Sequence, residues 1–388
     1  MNIVFLLNSP YPYYTGGRET WLYNITQRLC TRHNVHVIVE KPGVKNTNED
    51  AFPVRDPKVQ FSCSTDLRNS SLTAPFVRFY VTPLNEEFMI RSMWKQLKRI
   101  LSSRPNEKWY VISMDTVYTG RLGIWAKNKF ANVVFINSVR GPHADILGDG
   151  RPLLRRYFHR QETKTLKAAD QIWSNGWDTQ KTLQEQGFSS IVMKNGVDAS
   201  RCLQSIPADG MIPEGVSYHL LTIGTLQDIK GYVELIKAIG MLKKEQGILV
   251  GLTAFGKGDP RKYQELAQQE GVEKQICFAG VQPLTVEYAQ SFDLVACLSG
   301  GGGLSMACLE SMLSGAPVIA WDSPVYQQMI KHKESGYLVK EQDVAELGNG
   351  ILWMMRHCDQ AKEMGLNAQT FAKSFDWNCI VHDIEQCL

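Results

Sequence analysis

The chain has 388 residues, 44% of them hydrophobic and 21% charged, and a formal net charge of +3. That length exceeds one ordinary core and favours two domains, and the composition is that of a soluble globular protein rather than a disordered one. No apolar run approaches the roughly eighteen residues that a membrane-spanning helix requires.

The elements follow in chain order. "NIVFLL" at 2–7 predicts a buried first strand, without the basic start or small-residue cleavage site of a signal peptide. A loop leads into "RETWLYNITQRLC", where Trp21, Ile25 and Leu29 recur at helical spacing. "VHVIVE" predicts the next strand. Residues 43–85 are rich in Pro, Asn and Ser and follow no period. "MIRSMWKQLKRIL" sets Ile90, Met93, Leu97 and Ile100 at helical spacing, interleaved with Arg91, Lys95, Lys98 and Arg99, and with Trp94 beside the stripe. "WYVISM" and "NVVFINS" predict two more strands, separated by the helical "RLGIWAKNKF". "RPLLRRYFHRQETKTLK" adds a second basic helical cluster. Basic amphipathic helices with a Trp can lie on an anionic membrane, or simply cover a sheet with a solvated outer face.

A turn-rich stretch, "NGVDASRCLQSIPADGMIPEGVSY", marks the border between two halves. Beyond it the alternation resumes. "HLLTIG", "ILVGLTAFG", "ICFAG", "DLVACLS" and "APVIAWD" are strands. "GYVELIKAIGMLKKEQ", "DPRKYQELAQQEGV", "TVEYAQSF" and a stretch from Ser305 to Leu313 are helices between them. Near-continuous apolar strands alternating with helices predict parallel sheets covered on both faces, one doubly wound unit in each half.

The small net charge hides an asymmetry. Residues 1–196 carry 27 Lys and Arg against 16 Asp and Glu, a balance of +11; residues 197–388 carry 15 against 23, a balance of −8. A basic half suits nucleic acid, an anionic membrane or a phosphorylated substrate. No nucleic-acid recognition motif accompanies it, so nucleic acid is not expected as a partner. The nine cysteines form no CxxC pair and lie mostly among apolar residues, as small hydrophobes in a reducing cytoplasm do. No metal-ligand spacing occurs among Cys, His and carboxylates.

Gly300 to Ser323, "GGGGLSMACLESMLSGAPVIAWDS", carries the chemistry. Glycines after a parallel strand let the backbone approach a ligand at the carboxyl edge of the sheet. The helix that follows presents unpaired N–H groups suited to a phosphate or diphosphate. Glu310, one to two turns into that helix, is an acceptor suited to a ribose diol. The bland alternative is a tight packing turn.

From Gly302 to Asp322 the stretch resembles the E-G-L-S-x-x-L-E-A-M-x-x-G-x-P-V-I-A segment of the family 4 retaining glycosyltransferases, which have the GT-B fold. "GGRETWLYNITQRL" is similar to the family's G-G-x-E loop and helix, and "NGVD" at 195–198 to the end of its N-terminal domain. "TIGTLQDIKGYVELIKAI" is similar to G-R-L-x-x-x-K-G and its helix, and "KSFDWNCIVHDIEQCL" to the closing F-x-W helix.

The resemblance implies an α/β GT-B fold of two Rossmann-like doubly wound domains facing a cleft. Residues 1–196 would bind acceptor, with a C-terminal helix at about 372–388 packing back on them, and residues 197–371 would bind the nucleotide sugar. It implies retaining, metal-independent transfer of a hexose-type sugar from a nucleotide-diphosphate donor, with no cofactor beyond that substrate. Charge and family habit point to a glycan acceptor, lipid-linked, in cell-envelope polysaccharide or lipopolysaccharide synthesis. The protein would then be cytoplasmic, with its basic half at the inner membrane surface. Two alternatives stand beside it: an inactive glycosyltransferase-fold subunit that binds a partner, and a transferase with a soluble small-molecule acceptor.

By resemblance, Glu310 would hold the ribose, and Lys230 with the backbone N–H groups of Leu304 and Ser305 the diphosphate. Gly224, Thr225, Gly302 and Gly303 would also line the donor site, and Gly16 and Gly17 would approach the phosphate and sugar from the other half. Arg140 would stabilise charge on the diphosphate or bind a phosphorylated acceptor, and His143 would contact sugar or acceptor. Glu19 reads equally as part of that loop motif and as a carboxylate on the helix dipole. Three positions depart from the pattern. Gly302 replaces an acid that contacts the donor sugar, Thr225 replaces an Arg, and Gln328 replaces a Glu.

Overall fold

The structure, a computed structural model, describes residues 1–9, 17–40, 57–64, 82–141, 144, 151–200, 205–282, 285–300 and 304–388. The chain divides into two units, Met1–Lys194 with Ile380–Leu388, and Asn195–Cys379.

The first unit is built on seven strands in the order β3-β2-β1-β4-β5-β6-β7. They are β1 (Asn2–Leu7), β2 (Asn34–Val39), β3 (Gln60–Cys63), β4 (Trp109–Ser113), β5 (Val133–Val139), β6 (Gln171–Ser174) and β7 (Ile191–Val192). Every pairing is parallel; Ile3 of β1, for example, faces Val35 on one side and Tyr110 on the other. The helices are α1 (Gly17–Leu29), α2 (Thr82–Ser103), α3 (Thr119–Lys129), α4 (Pro152–Ala168) and α5 (Trp177–Glu185). The parallel topology explains why β1 and β4 are apolar throughout, since both are buried along their full length. The spacing that predicted α1 is its core stripe: Trp21, Ile25 and Leu29 are fully buried. Burial stabilises aliphatic side chains such as Ile25 and Leu29 by roughly 1.5–3 kcal/mol each.

The basic helix α2 places its apolar stripe inward. Ile90, Met93 and Leu97 join one core cluster with Val4, Leu6, Ile38 and Trp109. Trp94 packs edge-on against Trp125, with ring centroids 5.7 Å apart. Arg91 pairs with Glu87 at 3.1 Å, and Arg121 reaches the same carboxylate at 2.8 Å. Lys95 and Arg99 are exposed. On α4, Leu153 (86% exposed) and Tyr157 (47%) stand among the exposed Arg155, Arg156 and Arg160.

The second unit has six parallel strands in the order β10-β9-β8-β11-β12-β13. They are β8 (Tyr218–Ile223), β9 (Val250–Phe255), β10 (Ile276–Gly280), β11 (Leu294–Cys297), β12 (Val318–Trp321) and β13 (Tyr337–Val339). Its helices are α6 (Tyr232–Gln246), α7 (Arg261–Gln269), α8 (Thr285–Ala289), α9 (Met306–Ser314), α10 (Pro324–Gln327), α11 (Val344–Arg356) and α12 (Cys358–Lys373). The final helix, α13 (Trp377–Cys387), begins in this unit and ends in the first. There Glu385 meets His33 at 2.7 Å and Arg32 at 3.1 Å, and the carbonyl of Cys387 accepts from Gln171 at 2.9 Å.

Strand order reverses between β1 and β4 and again between β8 and β11, so each unit has a topological switch point. Ligands in doubly wound folds bind outside the carboxyl ends of the strands at that point. In the second unit the crossing is tight. Gly231, between the short 3-10 turn Asp228–Lys230 and α6, has φ +74°, and a Cβ there would lie 2.4 Å from the Cβ of Leu298. Gly231→Ala is therefore expected to lower the unfolding free energy by about 1–3 kcal/mol, measured by urea titration.

Candidate functional site

The second unit gathers several predicted donor-site residues at its switch point. Gly224 and Thr225 follow β8, and Ser299 and Gly300 follow β11. Lys230 sits in the turn between β8 and α6. Its stem packs on Gly224, where a Cβ would lie 3.4 Å from Cδ of Lys230. Its Nζ donates to Oγ of Ser299 at 2.9 Å. The N–H of Gly300 donates to the carbonyl of Ile229 at 2.8 Å, tying the two loops together. Tyr232 donates its hydroxyl to the carbonyl of Gly224 at 2.8 Å. Burial holds the Lys230 ammonium below the ordinary lysine range, an effect that the neighbouring Cys297 partly offsets.

On the other side, α9 begins where the glycine run ends. Ser305 is its N-cap and accepts the N–H of Cys308 at 3.3 Å. Leu304 is buried, and its carbonyl accepts from Asn195 at 2.7 Å. Gly315, in the left-handed conformation at φ +79°, ends the helix. Glu310, half-buried and the one charged residue of α9, receives the hydroxyl of Thr285 on its Oε2 at 2.8 Å. Such an arrangement offers a cation, a helix N-terminus and a fixed carboxylate, the groups that a nucleoside diphosphate requires.

The other candidates lie in the first unit or outside the described residues. Arg140 follows β5 and is buried over the face of Trp21, 3.8 Å from the ring centroid. Its Nε donates to Ser138 at 3.1 Å and its Nη2 to the carbonyl of Met193 at 3.4 Å. Burial and the charge of Arg18 push its guanidinium down to about 9, so it is still cationic at neutral pH. Gly17 opens α1 and faces open space. Glu19, two residues on, is 1% exposed, with Arg18 3.9 Å away. It is a buried carboxylate in the first turn of α1, where it also faces the positive end of the helix dipole. Gly16, His143, Gly302 and Gly303 lie outside the described residues.

Three participants escaped the sequence reading: Ser299, Thr285 and Tyr326. Tyr326 is fully buried, and its hydroxyl accepts the N–H of Ser299 at 3.2 Å. It stands two residues before Gln328, which is exposed. Hydroxyl residues are common, and only the folded chain brings these three to charged or glycine-rich segments far off in sequence.

The fold is GT-B, and the comparisons with known proteins agree with the resemblance seen in the sequence. Residues 214–371, within the second unit, match the family model described as Glycosyl transferases group 1. Through this segment the chain is related to the group 1 glycosyl transferases. One relative is the D-inositol 3-phosphate glycosyltransferase of Corynebacterium glutamicum, 27% identical over 163 residues, or 40% of this chain and 39% of that one. The chain spans less than half the length of the curated relatives it matches first. Among solved structures, Anabaena HepE in complex with UDP and glucose superposes with a TM-score of 0.73 at 19% identity, covering 100% of this chain and 99% of that one. WaaG, a glycosyltransferase involved in lipopolysaccharide biosynthesis, gives 0.71 at 15% identity, with 99% of each chain covered.

Two outcomes are expected from nucleotide titration calorimetry. Ser299→Ala weakens nucleoside-diphosphate binding about 3–10-fold by releasing Lys230, and Lys230→Ala weakens it more. Affinity also declines with rising pH earlier than an exposed lysine would dictate. A lowered ammonium pKa means that the charge is present below that pKa and lost as pH rises through it.

Proposed function

We propose that the protein is a retaining glycosyltransferase moving a hexose-type sugar from a nucleotide-diphosphate donor to a glycan acceptor. The observation that carries this reading is the pairing of Lys230 with Ser299 at the β8/β11 switch point of the unit that also carries Glu310. In this reading Lys230 neutralises the leaving diphosphate without a metal, aided by backbone N–H groups at Leu304 and Ser305. Glu310 holds the ribose. Arg140, in the first unit, is a cation held rigid by its stack on Trp21 and suited to a phosphate or a phosphorylated acceptor.

The acceptor we favour is a lipid-linked glycan in envelope polysaccharide or lipopolysaccharide synthesis. The likeness to WaaG supports it, as do Leu153 and Tyr157 exposed among arginines on α4. No described helix is long and apolar enough to cross a membrane. Attachment would be peripheral, through the basic first unit at the inner membrane face of the cytoplasm. A soluble acceptor is the second reading, favoured by the name of the D-inositol 3-phosphate relative. An inactive binding subunit is the third, favoured by Gly302, Thr225 and Gln328 where the family pattern carries charged groups.

A donor screen separates the enzyme from the binding subunit. Purified protein is heated with UDP-, GDP-, ADP-, dTDP- and CMP-sugars, and slow sugar release is followed, with Glu310→Ala as control. The enzyme reading expects one nucleotide to raise the melting temperature of the wild type and not of the variant, with sugar released. Stabilisation by none favours the binding subunit. Flotation with neutral and anionic liposomes at low salt tests attachment, and equal recovery on both would sink it.

A further inference from the structure

We infer that Thr285 is a positioning residue that fixes the carboxylate of Glu310 for the nucleoside ribose, and so sets the preference for ribonucleotides over 2′-deoxyribonucleotides. The inference rests on the proposed role of Glu310. Thr285 opens α8, which packs against α9, and its hydroxyl reaches Oε2 of Glu310 at 2.8 Å. Both side chains are half-buried.

A glutamate has three rotatable side-chain bonds, and its carboxylate accepts at about four lone-pair sites. Loosely held, it would lose entropy each time it received a diol. A neutral hydroxyl donating to one oxygen removes much of that freedom in advance. It leaves the negative charge intact, which an ammonium or guanidinium in the same place would not. A threonine suits the task better than a longer side chain, because its branched Cβ restricts χ1. The orientation it imposes makes the carboxylate selective. A sugar lacking the 2′-hydroxyl leaves an acceptor desolvated and unpaired, whereas a carboxylate free to swing would recover solvent or the remaining hydroxyl.

The test is calorimetric titration of the whole protein with UDP, GDP and ADP, each against its 2′-deoxy counterpart. The proteins are wild type, Thr285→Val, Thr285→Ser and Glu310→Gln, with melting temperatures recorded without nucleotide. For the nucleotide that binds, the wild type is expected to favour the ribo form by about 10–100-fold. Thr285→Val should reduce that ratio to about 3-fold or less, and Thr285→Ser should restore it. If Thr285→Val does not fold, Thr285→Ala takes its place. A wild-type ratio retained in Thr285→Val while Glu310→Gln loses it overturns the role of Thr285 and leaves that of Glu310 standing. A wild type that does not discriminate, or that binds none of the nucleotides, overturns the reading of Glu310 and that of Thr285 with it.

Discussion

Strands buried on both faces impose the constraint from which this structure follows. A parallel sheet in that position must be covered by crossover helices, and every crossover leaves a loop at one edge of the sheet. Where the winding reverses, between β8 and β11, the loops after the two strands lead to opposite sides of the sheet, with the N–H of Gly300 bonded to the carbonyl of Ile229 across the switch point. Gly224 and Thr225 follow one of those strands, Ser299 and Gly300 the other. The location of the candidate site is thus decided by topology, and the side chains only decide what can occupy it.

Much of this was legible beforehand, for reasons that differ by element. β1, β4, β9 and β12 were readable because burial on both faces demands an unbroken apolar run. α1 was readable because Trp21, Ile25 and Leu29 repeat at the helical period. β3 was not, because it is a short edge strand with both ends exposed and carries no continuous apolar pattern. β6, β7 and β13 were not read either: they are two to four residues long and, unlike the equally short β12, none presents four apolar residues in a row. Helices α11 and α12 lie between the glycine-run motif and the closing F-x-W helix and went unassigned.

The candidate site divides in the same way. Lys230, Glu310 and the glycines stand in a fixed local spacing, which a linear reading can match. Their supports do not. Ser299 lies 69 residues from Lys230, and Thr285 lies 25 from Glu310. A hydroxyl residue carries no pattern that marks its eventual partner. Both charged groups are oriented by hydroxyls, and a hydroxyl fixes direction without cancelling charge. An opposite charge would fix direction as well, but an incoming diphosphate or diol would have to displace it.

The path of α13 bears on how the chain assembles as it is made. Glu385 and Cys387 join His33, Arg32 and Gln171, so the first unit includes residues from both ends of the sequence. A ribosome delivers those last residues only after the whole second unit has emerged. The first sheet must therefore wait, its site for α13 uncovered, while nearly two hundred residues fold beside it. Contacts spanning such sequence distances are slow to close, so the second unit, continuous in sequence, is the one able to finish first.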